Sequence, residues 1–132
     1  MTEAAEATLY EVLGGAAGVR SLVDRFYDAM DTMPSVAVVR AMHPADLTEA
    51  RQKLFEFLSG WLGGPSLYIE RRGHPRLRAR HLPFAIDTRA AQDWLVCMDV
   101  ALDAESIEPE LKLRLMQSFT RVAAHMRNTA DP

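Results

Sequence analysis

Residues 72–87, RGHPRLRARHLPFAID, hold the most chemically suggestive side chains of the chain. Five of the 15 basic residues fall between Arg71 and Arg80, and His74 and His81 lie seven apart within the same run. The composition then turns apolar at Leu82, Pro83, Phe84 and Ile86. A histidine at the seam between cations and an apolar patch suits an amphipathic anion. Haem is such a ligand: an apolar macrocycle, an iron that takes an imidazole, and two propionates that take cations. On this reading His81 binds iron, while Arg80, Arg78 and Lys53 meet the carboxylates. The plainer reading makes His81 an ordinary loop histidine among surface arginines, and spacing alone leaves both open.

Two further groups stand out by their placement. Tyr27 and Trp94 fall on the apolar faces of two helical segments, and each carries a polar tip that takes a partner when buried. They are either site groups or core residues whose tips bond to backbone. Cys97 reads as a small packed residue rather than a redox centre. His125 falls late in the last helical segment, where a positive charge is favoured. The acids form no paired-carboxylate signature, and neither a Gly-rich phosphate loop nor a Ser-His-Asp arrangement is recognisable. The lack of a CxxCH motif excludes a covalently attached c-type haem.

These groups are positioned by helices. The 132 residues suit one domain spanning 1–132, and 48% hydrophobic with 25% charged residues is ordinary for a water-facing globular chain. A net charge of −3 argues against a nucleic-acid partner, so the arginine cluster needs a local explanation. No apolar run approaches the length of about 20 residues that spans a bilayer. The N-terminal MTEAAEATLY lacks a signal-peptide core, and a single cysteine fits a reducing compartment; the expectation is a cytoplasmic protein without a membrane partner.

Apolar spacing of three and four predicts a helix over 17–30 through Val19, Leu22, Val23, Phe26, Tyr27 and Met30. Gly14 and Gly15 turn a corner after a short helix from Thr8 to Leu13. One or two turns are expected over Val36–Met42. A longer helix over 46–62, capped by Asp46, carries the stripe Leu47, Ala50, Leu54, Phe57, Leu58 and Trp61. Gly63-Gly64-Pro65 ends it. A helix over 88–102 is capped by Asp87 or Thr88 and faces inward with Ala91, Trp94, Leu95, Met98, Ala101 and Leu102. The last runs from Pro109 to Arg127, with proline well placed in the first turn. Between Gly63 and Asp87 lie over twenty residues of little helical periodicity, and a loop of that length is usually functional.

The chain resembles the truncated, two-over-two haemoglobins of group II. The residues that carry this are Gly14-Gly15, Phe26-Tyr27, WLGGP at 61–65, Tyr68, GHPRLRARH at 73–81, Pro83-Phe84, and WLVCM at 94–98. They span roughly residues 8 to 127. The resemblance implies an all-α two-over-two sandwich around a non-covalent haem b, with a reduced proximal helix inside the long loop. It makes His81 the metal ligand, and Leu54, Phe57, Leu58, Tyr68, Phe84, Trp94 and Met98 haem contacts. Lys53 and Arg80 match propionate partners. His74 either caps the proximal turn or touches Tyr68 or a propionate. Tyr27, His43 and Trp94 match the distal polar groups, and Ala50 matches the place of the distal histidine of larger globins. Position 43 is often tyrosine in the group; a histidine there donates to a ligand, binds a proton or coordinates iron, or else turns outward or bonds only to Tyr27.

Two or three distal donors imply tight dioxygen binding and slow release, which suits redox chemistry, detoxification or sensing better than bulk oxygen transport. Carbon monoxide, nitric oxide, peroxide and sulfide are further expected ligands, a reductase is the implied protein partner, and a homodimer is compatible. The alternatives are a peroxidase-like or nitric-oxide-converting haem enzyme and, from a different class, a haem-free helical binding module.

Overall fold

The computed structural model describes residues 7–132, so the reading of the N-terminal stretch falls partly on residues outside it. Among the described residues there is no strand, and no helix is long and apolar enough to cross a membrane. The helices are α1 (Leu9–Val12), α2 (Gly15–Thr32), α3 (Ala37–Ala41), α4 (Thr48–Trp61), α5 (Leu67–Arg72), α6 (Leu77–His81), α7 (Thr88–Ala104) and α8 (Pro109–Met126), with a 3-10 turn at Pro34–Val36. α2 packs on α4 and on α7, and α7 packs on α8, so that the pair α2/α4 lies over the pair α7/α8.

The four long helices follow from the apolar spacing. Val19, Leu22, Val23 and Phe26 of α2 are fully buried, as are Cys97, Met98, Ala101 and Leu102 of α7. Thr8 caps α1 by accepting from the Glu11 amide at 3.1 Å, and Asp87 caps α7 by accepting from the Ala90 amide at 2.9 Å. The corner into α2 depends on Gly18, where a Cβ would stand 1.6 Å from the Leu13 carbonyl oxygen. Gly63, at φ 93°, closes α4 in the left-handed conformation that glycine adopts without strain. Asp46 caps α4 from one position further out than a standard N-cap: Leu47 occupies the cap, and the Asp46 carboxylate accepts from the Thr48 amide at 2.9 Å.

The segment between Gly63 and Asp87 contains two short helices, α5 and α6, and α6 ends on His81 where the resemblance placed a reduced proximal helix. Both are too short to hold themselves together, since nucleating a helix costs more than one turn returns. Each is held from outside. Arg71 and Arg72 at the end of α5 reach the buried Glu56 of α4 at 3.2 and 2.7 Å. α6 opens on Arg76 in the left-handed region (φ 45°), with no side-chain cap. Arg78 then donates to the carbonyls of His125 and Arg127 at 2.9 and 2.7 Å. The Asn128 amide donates to the carbonyls of His81 (3.1 Å) and Phe84 (2.9 Å), while its oxygen accepts from the Ile86 amide at 2.9 Å.

Candidate functional site

A cavity of about 1040 Å³ opens between the two helix pairs. Cofactor sites run to about 300–1,000 Å³, so this one has room for a macrocycle. Its α4 wall is Ala50, Leu54, Phe57, Leu58 and Trp61. Four of those five are only partly buried although their stripe is apolar, because the stripe faces the cavity rather than another helix. Ala90, Ala91 and Trp94 of α7 and Phe119, Val122 and Met126 of α8 close the far side. Leu77, Arg80, His81, Phe84 and Ile86 form the floor, with Tyr68 of α5 beside them.

His81 ends α6 with its imidazole Nδ1 at 2.5 Å from the Leu77 carbonyl oxygen. A carbonyl only accepts, so Nδ1 carries the proton and Nε2 keeps a lone pair. A histidine that ligates a metal is usually oriented in this way through its other nitrogen. His74 has the opposite arrangement: its Nδ1 accepts from the Arg76 amide at 3.1 Å, which braces the entry to α6. His74 does not line the large cavity. It lines a shallower cleft of about 660 Å³ on the outer side of α6, together with Arg78 and His125.

Three sequence-predicted contacts therefore lie away from the cavity: His74, Arg78 and Met98. Arg78 is turned to the end of α8, because the carbonyls left open there take its guanidinium. Met98 is fully buried between helices. Arg80 and Lys53 do line the cavity. Arg80 donates to the Pro75 carbonyl at 2.6 Å and stands 5.7 Å over the Tyr68 ring, with no carboxylate partner among the described residues. Lys53 is loosely paired with the exposed Glu49 at 3.3 Å. Arg72, which the sequence reading left out of the site, also reaches the rim.

On the opposite wall Tyr27 meets Phe26 edge-on at 4.9 Å and His43 at 5.8 Å. Burial pushes the Tyr27 hydroxyl well above the ordinary tyrosine range, against an opposing pull from Arg51, so its O–H stays a donor. Trp94 packs against Phe26 at 5.0 Å and Phe119 at 5.7 Å. Both side chains line the cavity, and among the described residues neither the Tyr27 hydroxyl nor the Trp94 indole N–H makes a hydrogen bond to protein.

His43 lines the same cavity. Its Nδ1 lies 3.0 Å from the Val39 carbonyl oxygen, which fixes the proton there and leaves a lone pair on Nε2. Burial lowers its proton affinity; the Val39 bond opposes this, and the charge of Arg40 adds to the lowering. A neutral His43 thus presents an acceptor beside two donors.

The anchors of the short helices were not visible as sequence signals. Glu56 is the chief one: 1% exposed, it accepts from Gln52 at 2.7 Å as well as from Arg71 and Arg72. The Arg72 bond outweighs burial and holds its carboxyl down to about 2. A buried position flanked by apolar residues, followed fifteen and sixteen residues later by two arginines, was its only trace.

The sequence and fold agree with known proteins. Residues 8–128 match the model of the bacterial-like globin family. The group 2 truncated hemoglobin YjbI of Bacillus subtilis is 41% identical over 122 residues, covering 92% of this chain and 89% of that protein. The solved cold-adapted truncated hemoglobin from the Antarctic marine bacterium Pseudoalteromonas haloplanktis TAC125 superposes with a TM-score of 0.91 at 48% identity, covering 93% of this chain and 99% of the other. The group II 2-on-2 hemoglobin from the plant pathogen Agrobacterium tumefaciens gives 0.91 at 41% identity, with 98% and 100% covered. An all-helical two-over-two sandwich of this kind defines a truncated globin. The chain belongs to the bacterial-like globin family, in its group II truncated branch.

Proposed function

We propose that the cavity holds haem b non-covalently, with His81 as the iron ligand, and that the protein binds dioxygen and other small diatomic molecules there. The observation that carries this is the His81 tautomer: Nδ1–H is committed to Leu77, and the Nε2 lone pair belongs to a residue lining an apolar cavity of macrocycle size. Arg80, with no carboxylate partner among the described residues, and Lys53, with only an exposed one, are the cations for the propionates. A haem seated there supplies a ferrous iron that takes dioxygen, carbon monoxide or nitric oxide reversibly.

The chain's own part is to retain the ligand. Tyr27 and Trp94 both line the cavity, and their O–H and N–H would be the donors to a ligand that carries negative charge there. Hydrogen bonds to charged groups contribute about 1.5–3 kcal/mol each. Slow release favours detoxification, redox chemistry or sensing over bulk transport. A reductase that restores the ferrous state is the implied partner, and the reducing cytoplasm the implied setting. Offering hemin to the purified protein tests the reading. A Soret band, and a shifted band after reduction under carbon monoxide, are expected; protein that stays colourless refutes it.

A further inference from the structure

The chain carries a net charge of −3, yet among the described residues no acidic side chain lines the cleft of about 660 Å³ on the outer side of α6. We propose that this cleft docks the acidic face of a one-electron donor protein, and that the electron enters through the wall shared by the cleft and the large cavity. The inference rests on the haem reading above and names the surface its reductase partner would use.

Three guanidinium groups line the cleft, and none pairs with a carboxylate among the described residues. Arg78 is bonded to the carbonyls of His125 and Arg127, which orient its charge without cancelling it. Arg121 donates only to the Ser118 hydroxyl, at 3.3 Å. Arg76 is exposed at the start of α6. Between these cations the lining is apolar, with Leu77, Val122 and Met126. Arginine and methionine are enriched at protein-docking surfaces, and acidic side chains and lysine are depleted there. The cleft is shallow, and its cations come from α6 and from α8. That arrangement suits an acidic protein surface better than an enclosed small anion.

Leu77, Val122 and Met126 line the large cavity as well as the cleft, so one layer of side chains divides the two. The Leu77 carbonyl also accepts the Nδ1–H of His81. A donor seated in the cleft therefore touches a residue that is one hydrogen bond from the proposed iron ligand. The partner gives up one electron and a ferric iron takes it to become ferrous; no atom or proton is transferred.

The probe is an acidic plant-type [2Fe–2S] ferredoxin, a low-potential one-electron carrier. Reduced ferredoxin is mixed with the ferric, haem-loaded protein under carbon monoxide at low ionic strength, and the Soret band of the ferrous complex gives the second-order rate. Binding of oxidised ferredoxin, which needs no electron transfer, is followed through amide chemical shifts of the carbon monoxide form. The shifts are expected to concentrate in residues 74–79 and 121–126. Arg121→Glu lowers the rate on the order of 10-fold, the scale of electrostatic steering, and weakens the binding. Adding Arg76→Asn lowers both further; asparagine suits the left-handed conformation at 76 (φ 45°). Arg25→Glu, the same charge change on an exposed residue of α2, leaves the rate near that of the wild type. Equal rates in all these proteins, an equal slowing in Arg121→Glu and Arg25→Glu, or amide shifts elsewhere on the surface overturn the inference. So does a wild-type protein that dithionite reduces and ferredoxin does not; in each case haem binding stands. Absence of a carbon monoxide complex even with dithionite overturns the haem reading, and this inference with it.

Discussion

Replacing Trp94 with phenylalanine removes the indole N–H and its fused five-membered ring while keeping an aromatic group at the position. The ring at 94 is wedged between Phe26 at 5.0 Å and Phe119 at 5.7 Å, and a phenyl group retains much of those tilted ring contacts. The Trp94 side chain lines the cavity and its indole N–H has no protein partner among the described residues, so its loss leaves no acceptor stranded in the core. What is lost is a hydrogen bond to a ligand that carries charge, worth about 1.5–3 kcal/mol. Each 1.4 kcal/mol is about a factor of ten. If the loss acts wholly on dissociation, dioxygen release accelerates about 10- to 100-fold. Stopped-flow displacement of dioxygen by carbon monoxide measures this directly. Tyr27→Phe is the matching variant, and the double variant shows whether the two donors act on the same charge. An unchanged release rate in Trp94→Phe, with the fold and the haem spectrum intact, refutes the argument that the indole touches the ligand.

Further outcomes follow from the anchors around the cavity. Asn128→Ala removes the bonds to His81 and Phe84 and the bond from Ile86, so haem transfer to an acceptor globin speeds up while α-helical ellipticity is nearly unchanged. Glu56→Gln lowers stability at neutral pH by about 1–3 kcal/mol, measured by urea unfolding. The folded-state value of Glu56 is about 2 against 4.5 for a free glutamate, so its contribution is complete above the free value and fades as pH falls towards 2; the wild-type and variant curves converge there. The ferric absorption spectrum changes as His43 gains a proton, with a midpoint on the acid side of the ordinary histidine range, and His43→Phe abolishes the change.

The long helices were legible because their apolar spacing reports a face that must leave water. The α4 stripe was legible for the same reason, but the sequence does not say what covers it. By spacing alone Leu54, Phe57 and Trp61 read as a buried stripe, and only the resemblance turned Leu54 and Phe57 towards a cofactor; all three line the cavity. α5 and α6 escaped the periodic reading since only Tyr68 is buried in the first and no residue in the second. Their order comes from Glu56, His125, Arg127 and Asn128, which are remote in sequence. Arg78 shows the limit of charge reasoning: a cation two residues from Arg80 was drawn to open helix carbonyls instead of the cavity. The tautomers of His43, His74 and His81 were illegible for a simpler reason. Each is set by a backbone group two or four residues away, and only coordinates reveal which nitrogen meets it.

The central claim is that one imidazole, at the end of a five-residue helix, holds the haem iron. Hemin titration of His81→Ala and His74→Ala, read as Soret absorption and as the ferrous carbon monoxide spectrum, tests it most directly. The account predicts that His81→Ala loses the haem or shows altered ligation, while His74→Ala takes up hemin like the wild type. A wild-type spectrum and affinity in His81→Ala would contradict it.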